Sequence, residues 1–264
     1  MKRAEEAGEK FERLVQIMES LRSNKGCPWD KEQDEKSITN YFLEEVYEAV
    51  EAISANDPQA LAEELGDVLM EVVFLTQIYK EKKKFSIHEV LDGINQKMIR
   101  RHPHVFGPER KETAREVIDE WLQGKRLEKK RESLFDGFPN STPSLLAAFQ
   151  IGLRVSHYGF DWSNAREALQ KVKEEMAELE KAIDTQQKAE LFQEMGDVFF
   201  SLANVSRLMG INPEIALRKT NKKFIKRFKY IEKRLKKEKK ELSQVSLEEM
   251  DKIWEEAKAK FGSP

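Results

Sequence analysis

Two sets of four carboxylates recur in this chain with the same internal spacing, and the second set begins 130 residues after the first. The two sets are Glu45, Glu48, Glu64 and Asp67, and then Glu175, Glu178, Glu194 and Asp197. The flanking sequences have the apolar periodicity of helices, in which residues three apart share a face. The repeat therefore predicts an all-α chain with two tandem copies of one helical-bundle domain, each carrying four carboxylates.

An antiparallel helical hairpin would bring each set of carboxylates together. The sequence Asn56-Asp57-Pro58 separates the two helices of the first copy and reads as a helix stop, an N-cap and a proline at the first helical position. Residues at equal distances from such a turn lie at the same height, and the carboxylate pairs of the first copy are centred on Asn56. Those of the second copy are centred on Gln186. We therefore expect two layers of carboxylates, roughly 4.5 Å apart from a rise of about 1.5 Å per residue.

Four converging carboxylates favour a bound cation, because their charges repel one another when nothing lies between them. Glu64 supports this interpretation, since it falls within an apolar stripe rather than on a polar face. No Glu-x-x-His pair accompanies the carboxylates, which argues against a di-iron oxidase. An all-oxygen ligand set favours Mg²⁺ or Mn²⁺. The alternative is that these residues simply face water, as most acidic residues do in a chain that is 36% charged.

The repeat extends beyond the carboxylates and sets the predicted domain boundaries. Each copy continues with a basic helix and closes with a helix that contains a single tryptophan, Trp121 or Trp254. We predict an N-terminal domain at 1–124 and a C-terminal domain at 145–264. Between them, residues 125–144 combine a charge run with Gly137 and two prolines, which is typical of a linker.

Glu-Glu-x-x-Glu followed by Glu-x-x-Asp, together with CPWDKEQ at 27–33 and the tandem arrangement, resembles the all-α nucleoside triphosphate pyrophosphohydrolases. The resemblance covers nearly the whole chain. It implies Mg²⁺-dependent hydrolysis of a nucleoside triphosphate to the monophosphate and pyrophosphate, and we expect broad use of bases. It also implies a homodimer whose sites are completed by neighbouring domains.

Several cations are candidates for holding the other oxygens of a triphosphate bound through its metal. Lys223 and Arg227 lie four apart on one helical face, and Lys97 and Arg101 are cations of the matching basic helix in the first copy. Trp254 is a candidate for stacking on the base or ribose, with a place in the core as the equal alternative.

The second copy is expected to carry most of the turnover. Lys171 precedes Glu175 by one helical turn, and its counterpart in the first copy is Tyr41, so only the second copy has a cation there. The alternative is that Lys171 only pairs with carboxylates on its own helix. The catalytic set would be the second four carboxylates together with Glu174, which could orient or deprotonate the attacking water, although a solvated surface glutamate is equally consistent.

Composition limits the other classes. A net charge of −2 gives no overall attraction to nucleic acid. Cys27 is the single cysteine, and neither a signal peptide nor a long apolar run is visible, so we expect a cytoplasmic protein without a membrane segment. Two alternatives stay open: a nucleotide-sensing or partner-binding helical module with little turnover, and a basic helical protein that binds RNA. Two complete sets of carboxylates favour the enzyme.

Overall fold

A computed structural model of the chain describes residues 2–113, 116–118 and 132–262, and Trp121 lies outside these ranges. The described residues are mainly helical and contain no β-strand, which confirms the all-α prediction. The α-helices are α1 Lys2–Leu21, α2 Pro28–Glu32, α3 Glu35–Ala55, α4 Pro58–Glu81, α5 Ile87–Arg101, α6 Pro103–Phe106, α7 Ser144–Ser156, α8 Ala165–Thr185, α9 Lys188–Leu208, α10 Pro213–Lys237 and α11 Leu247–Phe261. None of these described helices is both long enough and apolar enough to cross a membrane.

The chain divides into two compact units, Met1–Gly124 and Lys125–Pro264. The predicted linker at 125–144 falls within the second unit, and its described part packs on α7. There, Arg154 Nη1 donates a hydrogen bond to the carbonyl of Leu134 at 3.0 Å, and the Arg154 guanidinium lies 4.7 Å from the centre of the Phe138 ring. The domain boundaries at 124 and 145 stay predictions.

The first unit is built around the antiparallel hairpin of α3 and α4, and its turn follows from three successive residues. Asn56 ends α3 in the left-handed conformation, with φ of 53°. The Asp57 side chain then accepts hydrogen bonds from the backbone N–H groups of Gln59 and Ala60, and Pro58 is the first residue of α4. The helix stop, N-cap and proline predicted from the sequence are confirmed.

The second unit repeats this hairpin with α8 and α9. Gln186 ends α8 in the left-handed conformation, with φ of 54°, at the position of Asn56 in the first unit. The Asn164 side chain begins α8 by accepting hydrogen bonds from the backbone N–H groups of Arg166 and Glu167. Both hairpins therefore turn where the spacing of the carboxylates places their centres.

A small apolar core supports each hairpin. In the first unit α1 packs on α4, and Met18, Ile38, Val73, Phe74 and Ile78 form a buried cluster. In the second unit α7 packs closely on α9 at Gly152. A Cβ atom at this position would lie 2.7 Å from Arg207 Nε and would overlap the Asn204 side chain.

A separate group of buried apolar side chains in the second unit lies where α10 packs on α11. It consists of Ile231, Leu235, Val245 and Ile253, with Trp254 partly buried against it.

Each unit also has one largely buried arginine that anchors the end of its second hairpin helix. Arg22, which follows α1, donates through Nε and Nη2 to Glu81 at the end of α4, at 2.9 and 2.8 Å. Arg207, near the end of α9, pairs through Nη1 and Nη2 with Asp161 in the loop after α7. The second hairpin helix therefore supplies the carboxylate of this ion pair in the first unit and the arginine in the second.

The hairpins keep large apolar side chains on their surfaces. Leu65 and Leu69 of α4 are 54% and 41% exposed, and Phe192 and Phe199 of α9 are 87% and 52% exposed. The apolar runs LMEVVFL in α4 and MGDVFFSLA in α9 predict that both helices are central in a bundle. Within each unit, however, they are covered on only part of their surface.

Candidate metal centre

The hairpins bring carboxylates of both helices together, as the spacing predicts. Oxygen atoms of Glu45, Glu64 and Asp67 lie within 4.8 Å of one another, and so do those of Glu175, Glu194 and Asp197. We call these the first and second clusters. Glu48 and Glu178 are exposed and stand outside these close groups. Each cluster therefore joins one carboxylate of the first hairpin helix to two of the second.

The carboxylates of the first cluster disfavour one another's negative charge. Burial, followed by the charges of Asp67 and Glu48, raises the pKa of Glu45 above its usual range. Partial burial and the charges of Glu48, Glu45 and Asp67 also raise the pKa of Glu64. A cation bound among these carboxylates would relieve this repulsion.

The second cluster shows the same repulsion and also has a lysine. Burial raises the pKa of Glu194, and the charges of Glu178, Asp197 and Glu175 add to the effect. Lys171 Nζ lies 2.8 Å from Oε1 of the buried Glu175 and 3.3 Å from Oε2 of Glu174. These two contacts raise the pKa of Lys171. Lys171 therefore does pair along its own helix, and the pairing also places its charge at the second cluster.

Sequence analysis missed one acidic residue, Glu71, which lies one helical turn beyond Asp67. Glu71 is 4% exposed, and its Oε2 atom is buried without a hydrogen-bond partner among the described residues. Burial, together with the charges of Glu45 and Asp67, raises its pKa to about 7. The signal was available, because Glu71 is the only charged residue in the apolar run LMEVVFL.

Arg227 and Trp254 lie together at the contact between α10 and α11. The guanidinium of Arg227 is 5.7 Å from the centre of the Trp254 ring, and its Nη2 donates to the carbonyl of Gly262 at 2.8 Å. Phe224 also packs on Trp254, and the centres of the two rings are 5.0 Å apart. The structure thus gives Trp254 a role in packing, while its predicted contact with a base stays a prediction.

The remaining cations differ in their exposure. Arg101 is buried at the end of α5, Lys97 is exposed on the same helix, and Lys223 is partly exposed on α10. Their predicted contacts with a triphosphate also stay predictions.

The donor set of both clusters suits a hard divalent cation. All the converging atoms are carboxylate oxygens from two antiparallel helices, and the raised pKa values of Glu45, Glu64 and Glu194 indicate that added positive charge would be favourable. Mg²⁺ and Mn²⁺ both prefer such ligands, and the geometry does not choose between them. The fold and the site together define a class of tandem all-α proteins with a carboxylate cluster in each helical hairpin.

Comparison with known proteins places the chain within this class. The profile of the MazG nucleotide pyrophosphohydrolase domain matches it twice, at residues 33–106 and 164–232. The chain belongs to the MazG nucleotide pyrophosphohydrolase family. Each match contains one complete hairpin with its cluster, so the family resemblance identified from the sequence is confirmed.

Several proteins resemble the chain over nearly all of its length. It is 41% identical to "Nucleoside triphosphate pyrophosphohydrolase/pyrophosphatase MazG" of Thermotoga maritima, across 96% of this chain and 97% of that protein. It is 40% identical to "Nucleoside triphosphate pyrophosphohydrolase" of Escherichia coli K12, across 94% and 97%. It is also 41% identical to "Uncharacterized protein YabN" of Bacillus subtilis, across 94% of this chain and 51% of that protein.

Proposed function

We propose that the chain hydrolyses nucleoside triphosphates to nucleoside monophosphates and pyrophosphate, with Mg²⁺ as the physiological cofactor and broad use of bases. The observation that carries this proposal is the second cluster, in which three carboxylates converge beside a lysine. The names of the relatives in Thermotoga maritima and Escherichia coli support the same activity. A cation bound at these carboxylates would neutralise phosphate charge and lower the pKa of a bound water.

The second cluster would perform the reaction with its own side chains. Glu175, Glu194 and Asp197 would hold the cation, and Glu178 would complete the ligand set from the same helical face as Glu175. Glu174 is exposed on the neighbouring face and would orient the attacking water and accept its proton. The water oxygen forms a bond to the α-phosphorus as the bond from that phosphorus to the bridging oxygen of the β-phosphate breaks. Pyrophosphate is the leaving group.

Positive side chains would balance the rest of the triphosphate. The ammonium group of Lys171 contacts Glu175 and would also donate a hydrogen bond to a phosphate oxygen. Lys223 and Arg227 would bind phosphate oxygens in the second unit, and Lys97 and Arg101 would do so in the first. Trp254 would stack on the base or ribose. Glu45, Glu48, Glu64 and Asp67 would hold a cation in the first unit.

We also propose a homodimer in the cytoplasm. The apolar side chains exposed on α4 and α9, Phe192 above all, need a covering surface that a second copy could supply. The cytoplasmic location rests on the single free cysteine, Cys27, which has no partner for an internal disulfide.

The test is to incubate the protein with Mg²⁺ and a panel of ribo- and deoxynucleoside triphosphates in ¹⁸O-labelled water. We expect monophosphate and pyrophosphate as primary products, with the label in the monophosphate. A chelator should abolish turnover, and Mg²⁺ or Mn²⁺ should restore it. Primary release of diphosphate and orthophosphate would reject the proposed cleavage site, and full activity without metal would reject the role of the carboxylates. Tight nucleotide binding without turnover would favour a nucleotide-sensing module instead.

A further inference from the structure

The two hairpins differ in the layer of side chains that follows each cluster. One helical turn farther from the hairpin turn, the facing positions are Tyr41 and Glu71 in the first unit and Lys171 and Ser201 in the second. The first unit therefore has a further carboxyl group one helical turn from its cluster, outside the three whose oxygens lie within 4.8 Å of one another, whereas the second has an ammonium group in contact with its cluster. The duplicated hairpins keep the cluster itself and change the charge of its neighbouring layer.

In the described part of the chain, the Glu71 carboxyl group is buried and unpartnered near the first cluster. Its side chain is buried, its Oε2 atom has no hydrogen-bond partner among the described residues, and it interacts electrostatically with Glu45 and Asp67 of the first cluster. An unpartnered carboxyl group in such a place destabilises the fold unless it is neutralised. Ser201 is equally buried at the matching position, so burial of the position is a feature of the hairpin and the carboxyl is a feature of the first unit.

We infer that Glu71 is an additional carboxylate ligand of the cation held at the first cluster, and that the first unit therefore binds a divalent cation more tightly than the second. The inference rests on the proposed metal-binding function of both clusters. The number of charged ligands is a main determinant of divalent-cation affinity in all-oxygen sites. In the second unit, Lys171 contacts Glu175 and its positive charge repels the cation. The extra carboxyl group of the first unit and the lysine of the second therefore both favour tighter binding by the first.

The two units would then divide their work. The first cluster retains its cation between turnovers, while the weaker second cluster receives a cation together with the triphosphate. Lys171 favours this second situation, because a lysine beside the cluster repels a bare cation and attracts a phosphate anion.

The test measures Mn²⁺ binding to the full chain by electron paramagnetic resonance of the free ion. Asp197→Asn disables the second cluster and isolates the first, and Asp67→Asn does the reverse. We expect the Asp197→Asn chain to bind Mn²⁺ more tightly than the Asp67→Asn chain. Adding Glu71→Gln to Asp197→Asn should weaken binding by about 10- to 100-fold, as is usual when a group supporting a metal site is removed.

Matched variants separate this effect from a loss of charge or of folding. Glu63→Gln removes one charge from an exposed position of the same helix, beside Glu64, and should weaken binding by the Asp197→Asn chain far less than Glu71→Gln does. Thermal unfolding gives a second measurement, because Mn²⁺ should raise the melting temperature of the Asp197→Asn chain far more than that of the Glu71→Gln double variant. Equal Mn²⁺ affinity with and without Glu71→Gln would overturn the inference while leaving the metal sites intact. A failure of both single variants and of the wild type to bind Mn²⁺ would overturn the proposed metal function itself.

Discussion

Glu175 and Glu45 occupy matching positions, but Glu175 has a positively charged neighbour that Glu45 lacks. Glu175 is buried and bonded to Lys171, whereas the negative charges of Asp67 and Glu48 act on Glu45. A triphosphate brings several negative charges of its own, so it is better accommodated beside a lysine. At the scale of single residues, this contrast makes the second cluster the better candidate for turnover.

Substitutions at matching positions of the two clusters should therefore differ in effect. Glu175→Gln and Asp197→Asn should each lower kcat by at least about 100-fold, because each removes a ligand of the cation that would stabilise transition-state charge. Glu45→Gln and Asp67→Asn should cause smaller losses. The measurement is release of pyrophosphate under saturating substrate. All four variants must retain the helical circular dichroism of the wild type, and larger losses from the first-cluster substitutions would reverse the assignment.

Glu71 should make the stability of the metal-free protein depend on pH. Its pKa of about 7 in the folded protein exceeds the ordinary 4.5, so the folded chain binds this proton more tightly than the unfolded chain does. The resulting stabilisation is present below about pH 4.5 and is lost as the pH rises to about 7. The loss is on the order of 3 kcal/mol.

Thermal unfolding in a chelator between pH 5 and pH 8 would measure this loss. Glu71→Gln removes this one titrating group and keeps all the others, so its melting temperature should fall less than that of the wild type as the pH rises. Parallel curves for the two proteins would show that Glu71 is already ionised at pH 5.

The clusters could be predicted from the sequence, and the state of Glu71 could not. The cluster positions follow from helical spacing and from the turn at Asn56, which are local properties of the sequence. Whether Glu71 is buried depends on how α1 and α3 cover α4, which is decided by side chains far apart in the chain. Arg227 shows the same limit, since its contacts with Trp254 and Gly262 join residues that are well separated in sequence.

At the scale of helices, the contact of α7 with α9 depends on the absence of a side chain at Gly152. Gly152→Ala would force its new methyl group against Asn204, which is 1% exposed, and against Arg207 Nε. We expect a loss of about 1–3 kcal/mol in the free energy of unfolding, as is usual for overpacking. Denaturant unfolding followed by circular dichroism would measure it.

Gly93→Ala is the matched control for this helix contact. Gly93 lies within α5, and a Cβ atom there meets nothing within 4 Å. Alanine should stabilise that helix by up to about 1 kcal/mol because it restricts the unfolded chain. Equal effects of the two substitutions would show that α7 and α9 adjust to the added methyl group without strain.

At the scale of the whole molecule, the exposed apolar side chains of the hairpins predict self-association. Phe192→Asp should shift the mass measured by light scattering from dimer to monomer, because Phe192 is 87% exposed and a buried aspartate would oppose association. Leu247→Asp is the control, since Leu247 is also exposed but begins α11 rather than lying on a hairpin. A Phe192→Asp protein with the mass of the wild type would place the dimer contact elsewhere.

The reversed ion pairs at the ends of the hairpins have a consequence for folding. A chain that contains two similar hairpins risks pairing a helix of one copy with the hairpin of the other as it folds. If α1 docked on α9, Arg22 would meet Arg207 instead of Glu81. If the segment after α7 docked on α4, Asp161 would meet Glu81. Each exchanged arrangement would bring like charges together at a partly buried position, so the reversal disfavours swapped partners and favours the pairing of each hairpin with its own helices.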